Sequence, residues 1–160
     1  MKRLIAVAAL ALAATACGSS SSAKQPTEDP GSTATHVLDQ IVHNMYTEAW
    51  DGLYAVDQKV APRTEYVDCE SRSPVNAVPI SVKVVKVEDA PVGLGDGSFV
   101  DSKAVSLRLG FEGGFHLVHV VHLIADGGKW HWILPSYRYR DYKADRCPTD
   151  AGSSPPPATS

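Results

Sequence analysis

Residues 105–134 read VSLRLGFEGGFHLVHVVHLIADGGKWHWIL. Val105, Leu107, Leu109 and Phe111 alternate with Ser106, Arg108 and Gly110, a period of two that sets one apolar face against a core and turns the other to solvent. Gly113-Gly114 reverses the chain into a second apolar run, Phe115 to Ala125, and Asp126-Gly127-Gly128-Lys129 reverses it again into Trp130 to Leu134. Glycine pairs supply the positive φ angles of tight hairpins, so these residues are expected to form three consecutive antiparallel strands.

Upstream, Ile80, Val82 and Val84 alternate with Ser81 and Lys83, and Val85 and Val87 then take the other parity. That change predicts a strand with a bulge near Val84-Val85, followed by a Gly-rich loop from Asp89 to Ser102. Before Pro74 the period is helical. Val37, Leu38, Ile41, Val42, Met45, Tyr46, Ala49 and Trp50 recur at three-to-four spacing, with Asp39, Gln40, His43, Asn44 and Glu48 opposite. One helix with Thr35 as N-cap is expected. Asp51-Gly52 bends or ends it, Leu53 to Val60 makes a shorter one with Leu53, Tyr54, Val56 and Val60 inward, and Pro62 opens a third ending near Cys69. Helices first and strands after predict an α+β fold, with the helices on one face of a curved antiparallel sheet.

The chain has 160 residues, 44% hydrophobic and 21% charged, the proportions of one globular domain. Its formal charge of −3 and the absence of a clustered basic stripe argue against nucleic acid as a partner. The first residues have the plan of an export signal: Lys2 and Arg3, eleven apolar residues from Leu4 to Ala14, then small residues up to Cys17. The apolar run is about half of the roughly 20 residues that a spanning helix needs. Removal of residues 1–16 leaves 13 basic against 18 acidic residues, a net charge of −5. Gly18 to about Thr33 and Thr149 to Ser160 lack a hydrophobic period and read as a tether and a tail. The folded unit is expected over residues 35–148.

Ala14-Thr15-Ala16-Cys17 resembles the lipobox of bacterial lipoproteins, in which the cysteine takes fatty acyl chains such as palmitate and becomes the new N-terminus. The pattern departs from the commonest lipobox at Ala14, where Leu is usual, and Ala-x-Ala also suits the ordinary secretory peptidase, so a freely secreted protein is the alternative. With Cys17 lipidated, Cys69 and Cys147 remain as an even pair in an oxidising compartment, which predicts a disulfide between them; two buried free thiols are the alternative. The protein is then expected at the extracytoplasmic face of the cell membrane.

The rest of the chain resembles the cone-shaped NTF2-like (cystatin-like) superfamily, and within it the small exported lipoproteins of actinobacteria. The residues carrying this are Glu48-Ala49-Trp50-Asp51-Gly52-Leu53-Tyr54, the helix from Pro62 to Cys69, and the hairpin with Gly128-Lys129-Trp130-His131-Trp132-Ile133. The resemblance implies a fold more than a function, since that superfamily holds enzymes, pocket binders and dimerising modules.

His116, His119 and His122 invite a metal reading. On a strand, however, residues three apart face opposite ways, and His116 and His122 stand roughly 20 Å apart at ~3.3 Å per residue. No metal and no cofactor is expected. His119 shares its parity with Phe115, Leu117, Val121 and Leu123, so it becomes a polar group in an apolar pocket if that face lines the cone. The resemblance makes a pocket histidine a candidate general base, with Asp39 on the long helix as another. Trp130 and Trp132 share one strand face, as core or as pocket wall. Tyr137, Tyr139 and Tyr142 with Arg138 and Arg140 form a basic aromatic segment, expected on an exposed face.

These readings predict a membrane-anchored, non-enzymatic NTF2-like domain that binds a small apolar ligand or an envelope protein, with a homodimer open. Two rivals stand beside it. One is an isomerase- or dehydratase-like pocket enzyme using His119; the other is a host- or prophage-encoded envelope lipoprotein acting by protein–protein contact.

Overall fold

A computed structural model describes residues 25–148. Cys17, the leader before it and the tail from Thr149 on lie outside the described residues. The described residues form an α+β fold, with four α-helices preceding an open four-stranded antiparallel sheet of order β1-β2-β3-β4 and a fifth after it. None of the described helices is long and apolar enough to cross a membrane.

Helix α1 spans Pro30–Val42. It starts six residues earlier than the Thr35 cap predicts, because Asp29 takes the N-cap and accepts a 2.8 Å hydrogen bond from the Ser32 N–H, while Pro30 occupies the first turn, where its missing N–H costs nothing. Residues 30–34 of the expected tether are therefore helical. The long helix expected through Trp50 is broken at Asn44, which sits at φ 59°, a left-handed conformation that Asn tolerates better than most residues. Asn44 accepts from the Val75 N–H at 2.9 Å and from the Tyr46 hydroxyl, so tertiary partners offset the cost of the break. Three short helices follow: α2 (Tyr46–Asp51), α3 (Ala55–Val60) and α4 (Arg63–Arg72). Leu53 is not helical; it bridges to Trp132 in parallel.

The sheet consists of β1 (Ser81–Gly93), β2 (Phe99–Gly110), β3 (His116–Asp126) and β4 (Lys129–Trp132). The bulge lies between Val84 and Lys86, where the sequence predicts it. The loop expected from Asp89 to Ser102 is mostly strand: β1 and β2 pair as far as Gly93 and Phe99, and only residues 94–98 turn. Its glycines punctuate a hairpin tip, and Gly95 packs so closely on the Tyr139 ring that a Cβ there would overlap the ring.

Helix α1 lies across all four strands. Ala34, Val37, Leu38 and Val42 pack with Val105, Leu107, Leu109, Val121, Leu123 and Trp132 in one core that also holds Tyr46, Tyr66 and Tyr142. Burying each large apolar side chain contributes about 1.5–3 kcal/mol. A smaller cluster of Leu94, Ile124 and Ile133 covers the opposite face near the hairpin tip.

The basic aromatic segment is helix α5 (Ser136–Lys143), and it corrects the expectation of an exposed face. Tyr139 and Tyr142 are buried. Arg138 pairs with the buried Glu70 carboxylate, whose Oε1 also accepts from the Tyr142 hydroxyl at 2.7 Å. Just beyond α5, Cys147 lies at bonding distance from Cys69, with Cα atoms 5.1 Å apart, within the span a disulfide requires. The pair joins the end of the helical layer to the end of the chain's last helix.

Candidate functional site

The strand registers place each candidate. Leu107 stands opposite His119 and Val84, and Leu109 opposite Leu117 and Val82, so His119 and Leu117 belong to the helix-facing side of the sheet. His116 and His122 stand opposite Gly110 and Ala104, on the other side. Among the described residues, no three His, Cys, Asp or Glu side chains gather where one ion would sit.

His119 does not line an enclosed apolar pocket. Residues 116–120 are all exposed, although Leu107 and Leu109, their neighbours on β2, are buried. Desolvation nevertheless lowers the pKa of His119, and of His122, below the ordinary imidazole value. His122 Nδ1 lies 3.0 Å from the Ser102 hydroxyl, which donates to the Ala90 carbonyl at 2.7 Å. Asp39, the other candidate base, is on the solvent face of α1 and pairs with His43 at 3.1 Å, away from His119's strand.

The tryptophans are structural. Trp132 is buried, and its indole N–H donates to the Ala49 carbonyl at 2.7 Å; Trp130 donates to Glu28 at 2.8 Å, and Trp50 to Ala61 at 2.7 Å. Each ring anchors a helical or N-terminal segment to the core through a backbone carbonyl. The Tyr66 ring meets Trp132 edge-on at 6.4 Å and Tyr142 at 6.0 Å. These rings belong to the core between the helices and the sheet. An open surface depression lies beside α1, lined by Asp29, Ser32, Thr35, His36, Asp39 and Val84. Its carboxylates are already engaged in the helix cap and the His43 pair.

No protein-family model matches this chain, and no curated protein matches it.

What stands out on the surface is apolar strand. Phe115 (62% exposed), Val118 (58%), Val120 (45%) and Leu117 (36%) lie in one run of sequence, and Val84, Val85 and Val87 are exposed on β1, with Ile80 just before it. A period of two shows that a strand has an apolar face and is silent on whether anything packs against it, so the alternation was visible and the bare half of β3 was not. The signal that was present is the absence of any Asp, Glu, Lys or Arg from Gly113 to Ala125.

Proposed function

We propose that this protein is an exported, lipid-anchored binding domain of the cell envelope, attached through Cys17 and acting by protein contact through its sheet rather than by catalysis. The observation that carries this reading is the exposed apolar half of β3, with Val118 and Val120 on one face, Leu117 on the other and Phe115 just before the strand, since exposed apolar surface gathered on a folded domain marks interaction sites. The aromatic filling of the helix-facing interior by Tyr66, Trp132 and Tyr142 favours surface contact over a small apolar ligand. The exposed position of His119 favours the same reading over a pocket enzyme, because a general base has to be held against its substrate. We read the fold as NTF2-like; its support is the set of N-terminal helices laid across one face of an antiparallel sheet. The Cys69–Cys147 pair suits an oxidising compartment, and Ala14-Thr15-Ala16-Cys17 supplies the anchor.

Two measurements test it. The intact mass of the mature protein should include acyl chains on Cys17, and Cys17→Ser should release it from membranes; an unlipidated mature mass overturns the anchor. A photo-crosslinking residue at Val118 in intact cells should capture protein, while the same residue at the exposed Thr64 should not. No crosslink at Val118 overturns the contact reading.

A further inference from the structure

Three edges of the sheet differ in how they are closed. The outer edge of β4 is covered, because Trp132 accepts from the Tyr54 N–H at 2.8 Å and donates to the Gly52 carbonyl at 3.1 Å. The outer edge of β1 carries Lys83, Lys86, Glu88, Asp89, a bulge and Pro91, the devices by which edge strands resist pairing. The third edge is half of β3. Strand β4 pairs only with Leu123–Asp126, so His116–His122 has β2 on one side and, among the described residues, no strand on the other. This edge has no Asp, Glu, Lys or Arg, no proline and no bulge, and its first five residues are exposed.

The backbone groups at that edge follow from the turn. Asp126 and Lys129 pair across the two-residue turn Gly127-Gly128, both at positive φ, so Asp126 directs its N–H and C=O toward β4. Alternate residues do the same, which points the backbone groups of His116, Val118, Val120 and His122 out of the free edge.

The sequence of the segment is close to a palindrome. His116-Leu117-Val118-His119-Val120-Val121-His122 reads nearly the same from either end, with His119 at the centre. We propose that this edge pairs antiparallel with the same edge of a second copy, about a two-fold axis at His119. In that register Val118 meets Val120 of the other copy, Leu117 meets Val121, and the outward-pointing residues fall opposite each other. That alignment makes about eight backbone hydrogen bonds. The seven residues fill the window that the end of β4 leaves, and with no carboxylate, lysine or arginine in the window two like edges meet without like-charge opposition. A strand pairing of this length buries less than the roughly 1,600 Å² of a standard stable interface. The dimer is therefore concentration-dependent, and confinement of both copies to one membrane surface raises their effective concentration.

The proposal rests on the protein-contact reading above and names the partner as a second copy. Sedimentation of the full exported chain should show a monomer–dimer equilibrium. Val118→Lys and Val120→Lys, at side chains already exposed in the single copy, should each shift it to monomer, since each lysine then meets apolar surface and, in the double variant, a lysine. His119→Cys should form a covalent dimer on mild oxidation, because a non-hydrogen-bonded antiparallel pair holds its Cα atoms about 4.5 Å apart. Lys83→Cys on the outer edge of β1 should not. A wild type that stays monomeric at every concentration, or a dimer that both lysine variants retain, overturns the proposal. Should a lysine variant fail to fold, the absence of a His119→Cys crosslink overturns it alone. Capture of a different protein at Val118 in cells, with a monomeric purified chain, rejects the second copy while leaving the protein-contact reading standing.

Discussion

Asp57 sits on α3 at 1% exposure, and its Oδ2 accepts from the Leu134 N–H at 2.7 Å. Burial pushes its carboxyl up to about 6, only partly offset by that hydrogen bond. A carboxyl whose folded pKa exceeds its unfolded value of 3.8 adds stability in full below that value and loses it as pH rises through about 6. A rise of about two units is worth on the order of 3 kcal/mol. Replacing Asp57 with Asn keeps an acceptor for Leu134 and removes the titration. Relative to wild type, Asp57→Asn should become steadily more stable between about pH 4 and 6 and then level off, as read by urea unfolding at each pH; parallel curves would reject the assignment. Gly95 offers a second single-residue test. With no room for a Cβ against Tyr139, Gly95→Ala should cost about 1–3 kcal/mol in the same unfolding measurement, whereas Ala at Gly52, whose nearest neighbour would lie at 3.4 Å, should cost less.

Among the elements, α1 shows how a boundary can be written in the sequence and still be overlooked. Asp29-Pro30 is an N-cap followed by a first-turn proline, a legible start signal, but it lies inside a run of Ser, Gly, Pro and acidic residues whose composition reads as tether. Asp29→Ala should cost about 1 kcal/mol through the orphaned Ser32 N–H, measured as a drop in thermal midpoint. The hairpin of β1 and β2 shows the converse. Pro91, Gly93 and Asp89 argue for a loop locally, yet strand pairing runs unbroken from Lys86 to Gly93, because Pro91 is on an edge strand, where no ladder donor is needed on its outer side. The bulge at Val84 was legible, since one extra residue in a strand shifts every later side chain to the opposite face and so leaves a change of parity in the apolar run.

Across the whole molecule, two long-range ties hold the helical layer to the C-terminal helix. Glu70 binds Arg138 and Tyr142. Desolvation lowers the pKa of the Arg138 guanidinium, but the Coulombic pull of Glu70 together with the hydrogen bonds to Tyr137 and Glu70 outweighs it, so its pKa rises, while burial and then Glu70 raise that of Tyr142. The other tie is Cys69–Cys147, separated by 78 residues, for which the chain-entropy model gives on the order of 4 kcal/mol, a large share of a small domain's ~5–15 kcal/mol. Non-reducing peptide mapping should find the two cysteines linked, and Cys147→Ser should lower the unfolding free energy by a comparable amount. Two alkylatable thiols in protein isolated without reductant would refute the link.

The sequence by itself determined the α+β class, the placing of a helical region before the strands, the three-strand meander, the bulge and the pairing of the two cysteines, because periodicity, turn glycines and cysteine arithmetic are local or countable. Only the tertiary structure decided what each apolar face meets. It turned Tyr142 inward by supplying Glu70, buried Asp57 beside Leu134, broke the first helix at Asn44 by bringing Val75 to it, and left His119 in the open. Those outcomes depend on residues tens of positions away in the chain, and a side chain's neighbours at that distance are set by packing rather than by the residues beside it.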